Sequence, residues 1–311
     1  MASKYSLPPN AVWFVTGTSS GIGRAFAEFL STSPKGYRLV AAARKTSALD
    51  YLPNSQNVLK LALDVASPTA IKNAVQDAIK SFGRIDVLIN NAGYSLLGDT
   101  EATTDEQARV VFETLFWGAA NLTKEAVRVM REENSKSGTV GGVVIYMSSP
   151  GGRVALPGGS YYFATRFAMN GFYEGFTKEL NPDWNIHLMI AEPGFVRTDY
   201  LTRSTIVTER HPAYLDAKCA TNQVLGMLDQ ARNGLDLAGT PEKLVEIVVD
   251  VVESGTEEVG IPLRLPLGLD SLSLIDSSLK KQLKENELIK PFAGRFFGSQ
   301  GSAFEGFDDM A

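Results

Sequence analysis

Residues 11–23 read AVWFVTGTSSGIG. An unbroken apolar and β-branched run enters a glycine-rich turn, and a helix-period stretch follows over 23–31. A strand without polar alternation is covered on both faces, as in a parallel sheet. Glycines at 17, 21 and 23 permit a tight turn and let backbone N–H groups approach an anion at a helix N-terminus. The spacing is G-x-x-x-G-x-G rather than G-x-G-x-x-G. Its place between a first strand and a helix makes the turn specific for a dinucleotide. Gly17, Ser19, Ser20, Gly21, Ile22 and Gly23 are therefore candidates to hold a pyrophosphate.

The same alternation continues outward. Apolar runs of strand length lie at 37–43, 58–63, 86–90, 142–148, 186–191 and, more weakly, 258–263. Helix-period stretches separate them at 68–81, 104–133, 162–180 and 241–253. The last has Thr240 as N-cap, Pro241 at the first helical position and Gly255 beyond the end. This order predicts an α/β Rossmann fold: one doubly wound, seven-stranded parallel sheet in a single domain over 1–311. Residues 200–240 break the alternation beyond the sixth strand's carboxyl end, where such sheets bind ligands, and read as a substrate lid. The tail after Pro291 is Gly-rich and aromatic, and is either loosely ordered or docked on a partner chain.

Composition narrows the function classes. The chain has 311 residues, 44% hydrophobic and 21% charged, with a net charge of −5. That acidity gives a nucleic-acid partner no electrostatic support. The single cysteine, Cys219, allows no internal disulfide and suits a reducing compartment. With a short polar N-terminus and no apolar run of spanning length, a cytoplasmic location without a membrane is expected. No His/Cys/Asp cluster has metal-ligand spacing, and no G-x-S-x-G elbow marks a hydrolase. His187 reads as structural; His211, in the lid, is a minor candidate for substrate contact.

The second strand's end speaks to which dinucleotide. An acid there would bond the adenine-ribose hydroxyls, whereas arginine accommodates the 2′-phosphate of NADP. The chain reads Ala41-Ala42-Ala43-Arg44-Lys45. Arg44 can grip a phosphate through its forked donors, with Lys45 adding charge. The plainer alternative is a solvated basic pair. The missing acid favours NADP(H) in either case.

Further motifs carry a family resemblance. TGTSSGIG at 16–23, Asp64-Val65, Asn90-Asn91-Ala92-Gly93, Ser148-Ser149, YFATR at 162–166 and PGFVRT at 193–198 resemble the short-chain dehydrogenase/reductase family over roughly residues 10–200. The stretch from Gly171 to Tyr200 is similar to the retinol- and hydroxysteroid-dehydrogenase-like subgroup, which has many fungal members. The resemblance implies that Asp64 and Val65 hold adenine and that Asn91, Ala92 and Gly93 line the cofactor. It implies that Pro193, Gly194, Val196 and Thr198 flank the nicotinamide. It also implies a homodimer or homotetramer built through the helices at 104–133 and 162–180.

The resemblance assigns the chemistry to Ser149 and, 13 residues on, to Tyr162. Ser149 would hydrogen-bond the substrate oxygen, and Tyr162 would act as general acid or base. Two positions depart from the family. Arg166 stands four after Tyr162 where a lysine is usual. Its charge still lies beside the phenol at i+4, lowers the phenol pKa and can bond the nicotinamide ribose, but it cannot pass on a proton. Leu115 stands where the family has an asparagine that distorts its helix and anchors a water, and leucine is expected to do neither.

With the cofactor motifs and the Ser–Tyr pair intact, the leading expectation is NADPH-dependent reduction of a carbonyl or imine on a lipophilic small molecule, in secondary metabolism. The departures keep two alternatives open. One is a non-redox isomerase, dehydratase or cyclase on the same scaffold; the other is a cofactor-binding protein without turnover.

Overall fold

The computed structural model describes residues 5–232, 239–256 and 259–297. Its centre is a seven-stranded, wholly parallel sheet. The strands are β1 (Val12–Thr16), β2 (Arg38–Ala43), β3 (Val58–Ala62), β4 (Val87–Asn90), β6 (Gly142–Met147), β7 (Ile186–Pro193) and β9 (Arg264–Leu267). Their order is β3-β2-β1-β4-β6-β7-β9, so the winding reverses between β1 and β4. A crevice opens at the carboxyl ends of strands where that reversal occurs.

Every residue of β1 is buried, because helices cover both faces of the sheet. Trp13 and Val15 point to one side, where Phe26 and Leu30 of α1 (Gly21–Thr32) and Val245 and Val248 of α8 (Pro241–Ser254) meet them. Val12 and Phe14 point to the other. There Ile71 and Val75 of α2 (Pro68–Phe82) and Val127 and Met130 of α4 (Ala119–Glu132) complete a second core. The two sets alternate because successive strand side chains face opposite ways.

The seventh strand lies further along than 258–263. Gly255 and Gly260 are both at positive φ, and Thr256 bridges to Gly260. Pairing with β7 begins only at Arg264. β9 closes an edge of the sheet, where the missing N–H of Pro266 leaves no ladder bond unmade.

The helix expected over 104–133 is three pieces. α3 (Asp105–Phe112) opens with a capping box from Thr104 and Gln107, and Glu113–Gly118 is a wider π turn before α4. α5 (Ser160–Glu179) starts two residues before the expected helix.

The lid segment is partly regular. β5 (Ser95–Leu97), a short strand absent from the sequence reading, pairs in parallel with β8 (Thr205–Val207) in a separate two-stranded sheet. α6 (Tyr200–Arg203) precedes β8, and α7 (Ala220–Arg232) follows it. Residues 233–238 of the expected lid lie outside the described residues. So does 298–311, while 291–297 of the expected tail are helical. They belong to α9 (Leu269–Phe297), which the sequence reading did not contain. Among the described residues, no helix is long and apolar enough to cross a membrane.

One side chain ties the strand starts beneath the site. Asn134 is fully buried; its Nδ2 donates to the carbonyls of Ile85 (2.8 Å) and Gly141 (2.9 Å), and its Oδ1 accepts from the Ile85 N–H (3.2 Å). These backbone groups flank β4 and β6 and are buried. Each net hydrogen bond contributes about 1 kcal/mol and an orphaned buried group costs more. Asn134→Ala is expected to lower unfolding free energy by about 3 kcal/mol, read as a shift of the urea midpoint at unchanged slope.

Candidate active site

The glycine turn is shaped by two different constraints. A Cβ on Gly23 would lie 2.4 Å from Asn91 Nδ2 and 2.4 Å from the Gly17 carbonyl, and one on Gly17 would lie 2.9 Å from Ala92 Cα. Both glycines are required by close approach. Gly21 has room, meeting only Thr198 carbons at 3.6 Å and 3.7 Å, but its φ of +55° favours glycine. Ser20 precedes α1 without capping it, so the first-turn N–H groups face outward. Free N–H groups at a helix start, over a turn stripped of side chains, fit a pyrophosphate.

Asn91 builds this cradle. Its Nδ2 donates to the Thr16 carbonyl at 2.8 Å, and the N–H groups of Asn91 and Ala92 both donate to Thr16 Oγ1 at 3.0 Å. Its side chain therefore joins the end of β4 to the end of β1. Thr18 closes the other flank, its N–H and hydroxyl both donating to the Ala42 carbonyl at 3.1 Å. Arg44 follows β2, exposed and without an ion pair among the described residues. Nearby, the Tyr51 hydroxyl donates to the Thr18 carbonyl, and the Arg24 guanidinium stacks 4.2 Å from the Tyr51 ring centroid.

Asp64 is exposed after β3 and accepts from the Ala66 N–H at 3.0 Å, while Val65 is buried beneath Gly118. A Cβ on Gly118 would lie 2.7 Å from the Val65 carbonyl. After β7, Gly194 leaves room for Asp270, whose Oδ2 accepts from the Phe195 N–H at 2.7 Å. Val196 bridges to Gly239, and Thr198 Oγ1 accepts from the Tyr200 N–H at 3.2 Å. The glycine turn thus meets Asn91 and Ala92 on one side and, at Gly21, Thr198 on the other.

Tyr162 and Arg166 lie one turn apart on α5 and are 8% and 6% exposed. The guanidinium carbon sits 5.0 Å from the Tyr162 ring centroid and 5.5 Å from that of Tyr146. Arg166 Nη1 donates to the Tyr146 hydroxyl at 2.7 Å and to the Met147 carbonyl at 3.0 Å. Its Nε is buried with no partner. Burial resists ionisation of Tyr162, but the Arg166 charge and hydrogen bonds from Tyr200, Arg166 and Ser95 outweigh it, so its pKa falls below 10. Arg166 is held firmly charged: burial opposes this, and the three tyrosines around it prevail.

Ser149 Oγ accepts from the Gly151 N–H at 3.0 Å, which orients the hydroxyl and leaves its proton to donate elsewhere. Its loop is held by a buried polar cluster. Ser148 Oγ donates to Asn170 Oδ1, Asn170 Nδ2 donates to the Gly152 carbonyl and Glu192 Oε1, and Arg153 forks onto Glu192 at 2.8 Å and 2.6 Å.

Leu115 lies in the π turn, 1% exposed, packed with Leu96, Val111 and Tyr162. The helix is distorted here without an asparagine, which corrects the expectation that leucine would leave it regular. The close approach of Gly118 to Val65 accounts for it: a wider turn carries an extra residue past the loop after β3. Four side chains of the site carry no motif in the sequence: Ser95, Tyr146, Asn170 and Tyr200. Tyr200 was marked only by its place in the lid. His211 bonds within its own loop, Nδ1 accepting from the Ala213 N–H. Among the described residues, no group of three His, Cys, Asp or Glu side chains could hold a metal.

The short chain dehydrogenase family model matches residues 11–206, which contain the glycine turn, Ser149, Tyr162 and the loop after β7. The chain belongs to the short-chain dehydrogenase family. It is similar to the oxidoreductase calM of Penicillium decumbens, 40% identical over 290 residues that make up 92% of each chain. It also resembles a 3-ketodihydrosphingosine reductase of Bacteroides thetaiotaomicron, 30% identical over 76% of this chain and 82% of that one. Among solved structures, a short-chain dehydrogenase from Streptomyces avermitilis superposes with a TM-score of 0.78 at 31% identity, covering 91% of this chain and 97% of its own. As a short-chain dehydrogenase, the protein is an oxidoreductase that uses a nicotinamide cofactor.

Gly23→Ala is expected to weaken NADPH and NADH alike, by at least about tenfold, since the added methyl displaces Asn91 and the turn together. Fluorescence titration of both nucleotides checks this, with circular dichroism confirming the fold.

Proposed function

We propose that this short-chain dehydrogenase reduces a carbonyl or imine of a lipophilic small molecule with NADPH. The observation that carries the reading is Tyr162 buried against the Arg166 charge, one wall of its surroundings built by Leu96, Val111 and Leu115. When bound, the reduced nicotinamide supplies a hydride to the substrate carbon. The residues here do the rest. Ser149 donates its free hydroxyl proton to the substrate oxygen. Tyr162 then gives its proton to that oxygen as negative charge gathers there. Arg166 stabilises the phenolate left behind, a charge effect that needs no transferable proton. The relative named a 3-ketodihydrosphingosine reductase accords with a ketone substrate.

For the cofactor, Gly17 to Gly23 and the α1 start would hold the pyrophosphate, and Arg44 with Lys45 the 2′-phosphate. Asp64 and Val65 would hold adenine, Asn91, Ala92 and Gly93 would line the dinucleotide, and Pro193, Gly194, Val196 and Thr198 the nicotinamide end. The preference for NADPH rests on the free, exposed Arg44 and the absence of an acid after β2. Exposed Val110, Trp117 and Phe167, 50%, 50% and 44% accessible, lie on α3, the π turn and α5 and support assembly with a second copy through those helices.

The sign of the pH dependence follows from Tyr162. Reduction needs its protonated form and falls as pH rises through the lowered pKa; alcohol oxidation needs the phenolate and rises through the same point. Steady-state profiles with a ketone and its alcohol should therefore cross at a common midpoint below pH 10. Tyr162→Phe should cost about 10²-fold or more in both directions. Arg44→Asp should erase or reverse the NADPH preference, and equal dissociation constants for NADPH and NADH in the wild type would overturn the cofactor assignment.

A further inference from the structure

A phenol from the sheet core stands behind the cation of the site. Tyr146, near the end of β6, is 2% exposed, and its ring packs 5.7 Å from that of Tyr173. Tyr173 is itself fixed: its hydroxyl accepts from Asn90 Nδ2 at 3.3 Å and shares a 3.0 Å hydrogen bond with the Thr123 hydroxyl. A ring packed in this way holds its own hydroxyl in one place.

What that hydroxyl holds is Arg166. Nη1 donates to the Tyr146 oxygen at 2.7 Å and to the Met147 carbonyl at 3.0 Å, two acceptors on consecutive residues of β6. Nε is buried without a partner, and Nη2 lies 3.6 Å from the place a Cβ on Gly93 would take. Nη1 therefore sets where the guanidinium sits, with its carbon 5.0 Å from the Tyr162 ring centroid and 5.5 Å from that of Tyr146. A planar fork can serve β6 with one arm and still lie against a second phenol; a lysine ammonium is a point charge and has no second arm. The titratable groups around Tyr162 are Arg166 and Tyr161 on its own helix, Tyr146 on β6, Tyr94 in the loop before β5 and Tyr200 on α6. Among them only Arg166 is a cation.

We propose that Tyr146 is a positioning residue that acts on Tyr162 through Arg166: by accepting from Nη1 it fixes the guanidinium and takes up part of its charge, so that Tyr162 keeps the proton it delivers in reduction. The two phenols compete for one buried cation. Tyr146 is held protonated by burial, so it accepts from Arg166 without neutralising it. Without that acceptor, the same charge would remain enclosed with less to compensate it, and the Tyr162 phenolate is the group that can make up the difference. Tyr146 thus sets the balance between the acid form that reduces a carbonyl and the base form that oxidises an alcohol.

This rests on Tyr162 being the acid of the proposed reduction, so the test reads Tyr162 without turnover. Tyrosinate absorbance of the full-length protein is titrated against pH, and each protein is compared with its own Tyr162→Phe partner to isolate that one ionisation. Tyr146→Phe keeps the ring against Tyr173 and removes the acceptor; the Tyr162 midpoint should fall by about one pH unit. Tyr146→Met, which also lacks the acceptor, should shift it the same way. Tyr173→Phe removes a buried hydroxyl from the same core without touching Arg166, and should leave the midpoint in place. With Arg166→Met already present, Tyr146→Phe should have no effect on it. In turnover, the pH profiles of reduction and oxidation should both move about one unit to lower pH in Tyr146→Phe, whereas a packing defect would lower rates at every pH and leave the midpoints where they were. A Tyr162 midpoint that is unchanged or raised in Tyr146→Phe and Tyr146→Met, or one that still falls in the Arg166→Met background, overturns the proposal. If the wild type shows no Tyr162 ionisation below that of free tyrosine, the reading of Tyr162 itself fails, and the role of Tyr146 with it.

Discussion

A guanidinium buried without a carboxylate is the constraint around which this site is arranged. Arg166 is almost wholly enclosed, and among the described residues no acid pairs with it. Leaving water would be costly for an uncompensated charge. The protein meets that cost with aromatic faces and phenol oxygens: Tyr146 accepts its hydrogen bond, and Tyr146 and Tyr162 present their rings. Cation–π and phenolic contacts compensate only part of a full charge. The remaining imbalance is relieved whenever Tyr162 becomes an anion. The acidity of Tyr162 and the burial of Arg166 are thus one electrostatic fact seen from two residues.

Such a pair works only if its helix is held still. The cluster around Glu192 does this. Its carboxylate takes the fork of Arg153 and one amide proton of Asn170, while its backbone carbonyl accepts from Ser271 at 2.7 Å. Asn170 lies one turn beyond Arg166, as Arg166 lies one turn beyond Tyr162. α5, the Ser149 loop, β7 and the start of α9 are therefore fastened at a single buried point. Here the buried acid is fully paired, the arrangement in which a charge can be enclosed without large cost.

The sheet and the glycine turn were legible in the sequence because both are written locally. An apolar run followed by TGTSSGIG specifies strand, turn and helix start within 13 residues, and the positive φ of Gly17 and Gly21 is a requirement of that turn. Five of the seven sheet strands fall within the apolar runs, and a sixth, β7, overruns its run by two residues. The seventh was displaced: the run read as a strand, 258–263, holds Gly260 and Pro262, and the residues that pair, RLPL at 264–267, follow it. α9 was invisible for a different reason: beyond its first turns it buries little, so it carries no strong apolar stripe. Tyr200 and Ser95 illustrate the remaining limit. Neither belongs to a motif, and although they lie 105 positions apart they meet beside a three-residue strand pairing. No local pattern can report such a contact.

The π turn shows how a distortion can outlast the residue associated with it. An asparagine can favour an irregular helix by offering the backbone a rival hydrogen bond. Leu115 offers none, yet the turn at Glu113–Gly118 remains wide. Two contacts bracket it. On one side Gly118 lies so close to the Val65 carbonyl that a methyl group would clash; on the other, Leu115 Cδ2 fills the space a Cβ on Gly93 would need. The helix must satisfy both the loop after β3 and the loop after β4, and a regular turn would rotate Leu115 relative to Gly118. One extra residue in the turn reconciles the two. The geometry is then set by the pair of glycines at 93 and 118, and position 115 is left to choose the polarity of the wall beside Tyr162. In this chain it is apolar, which removes a hydrogen-bonding side chain from one flank of the phenol.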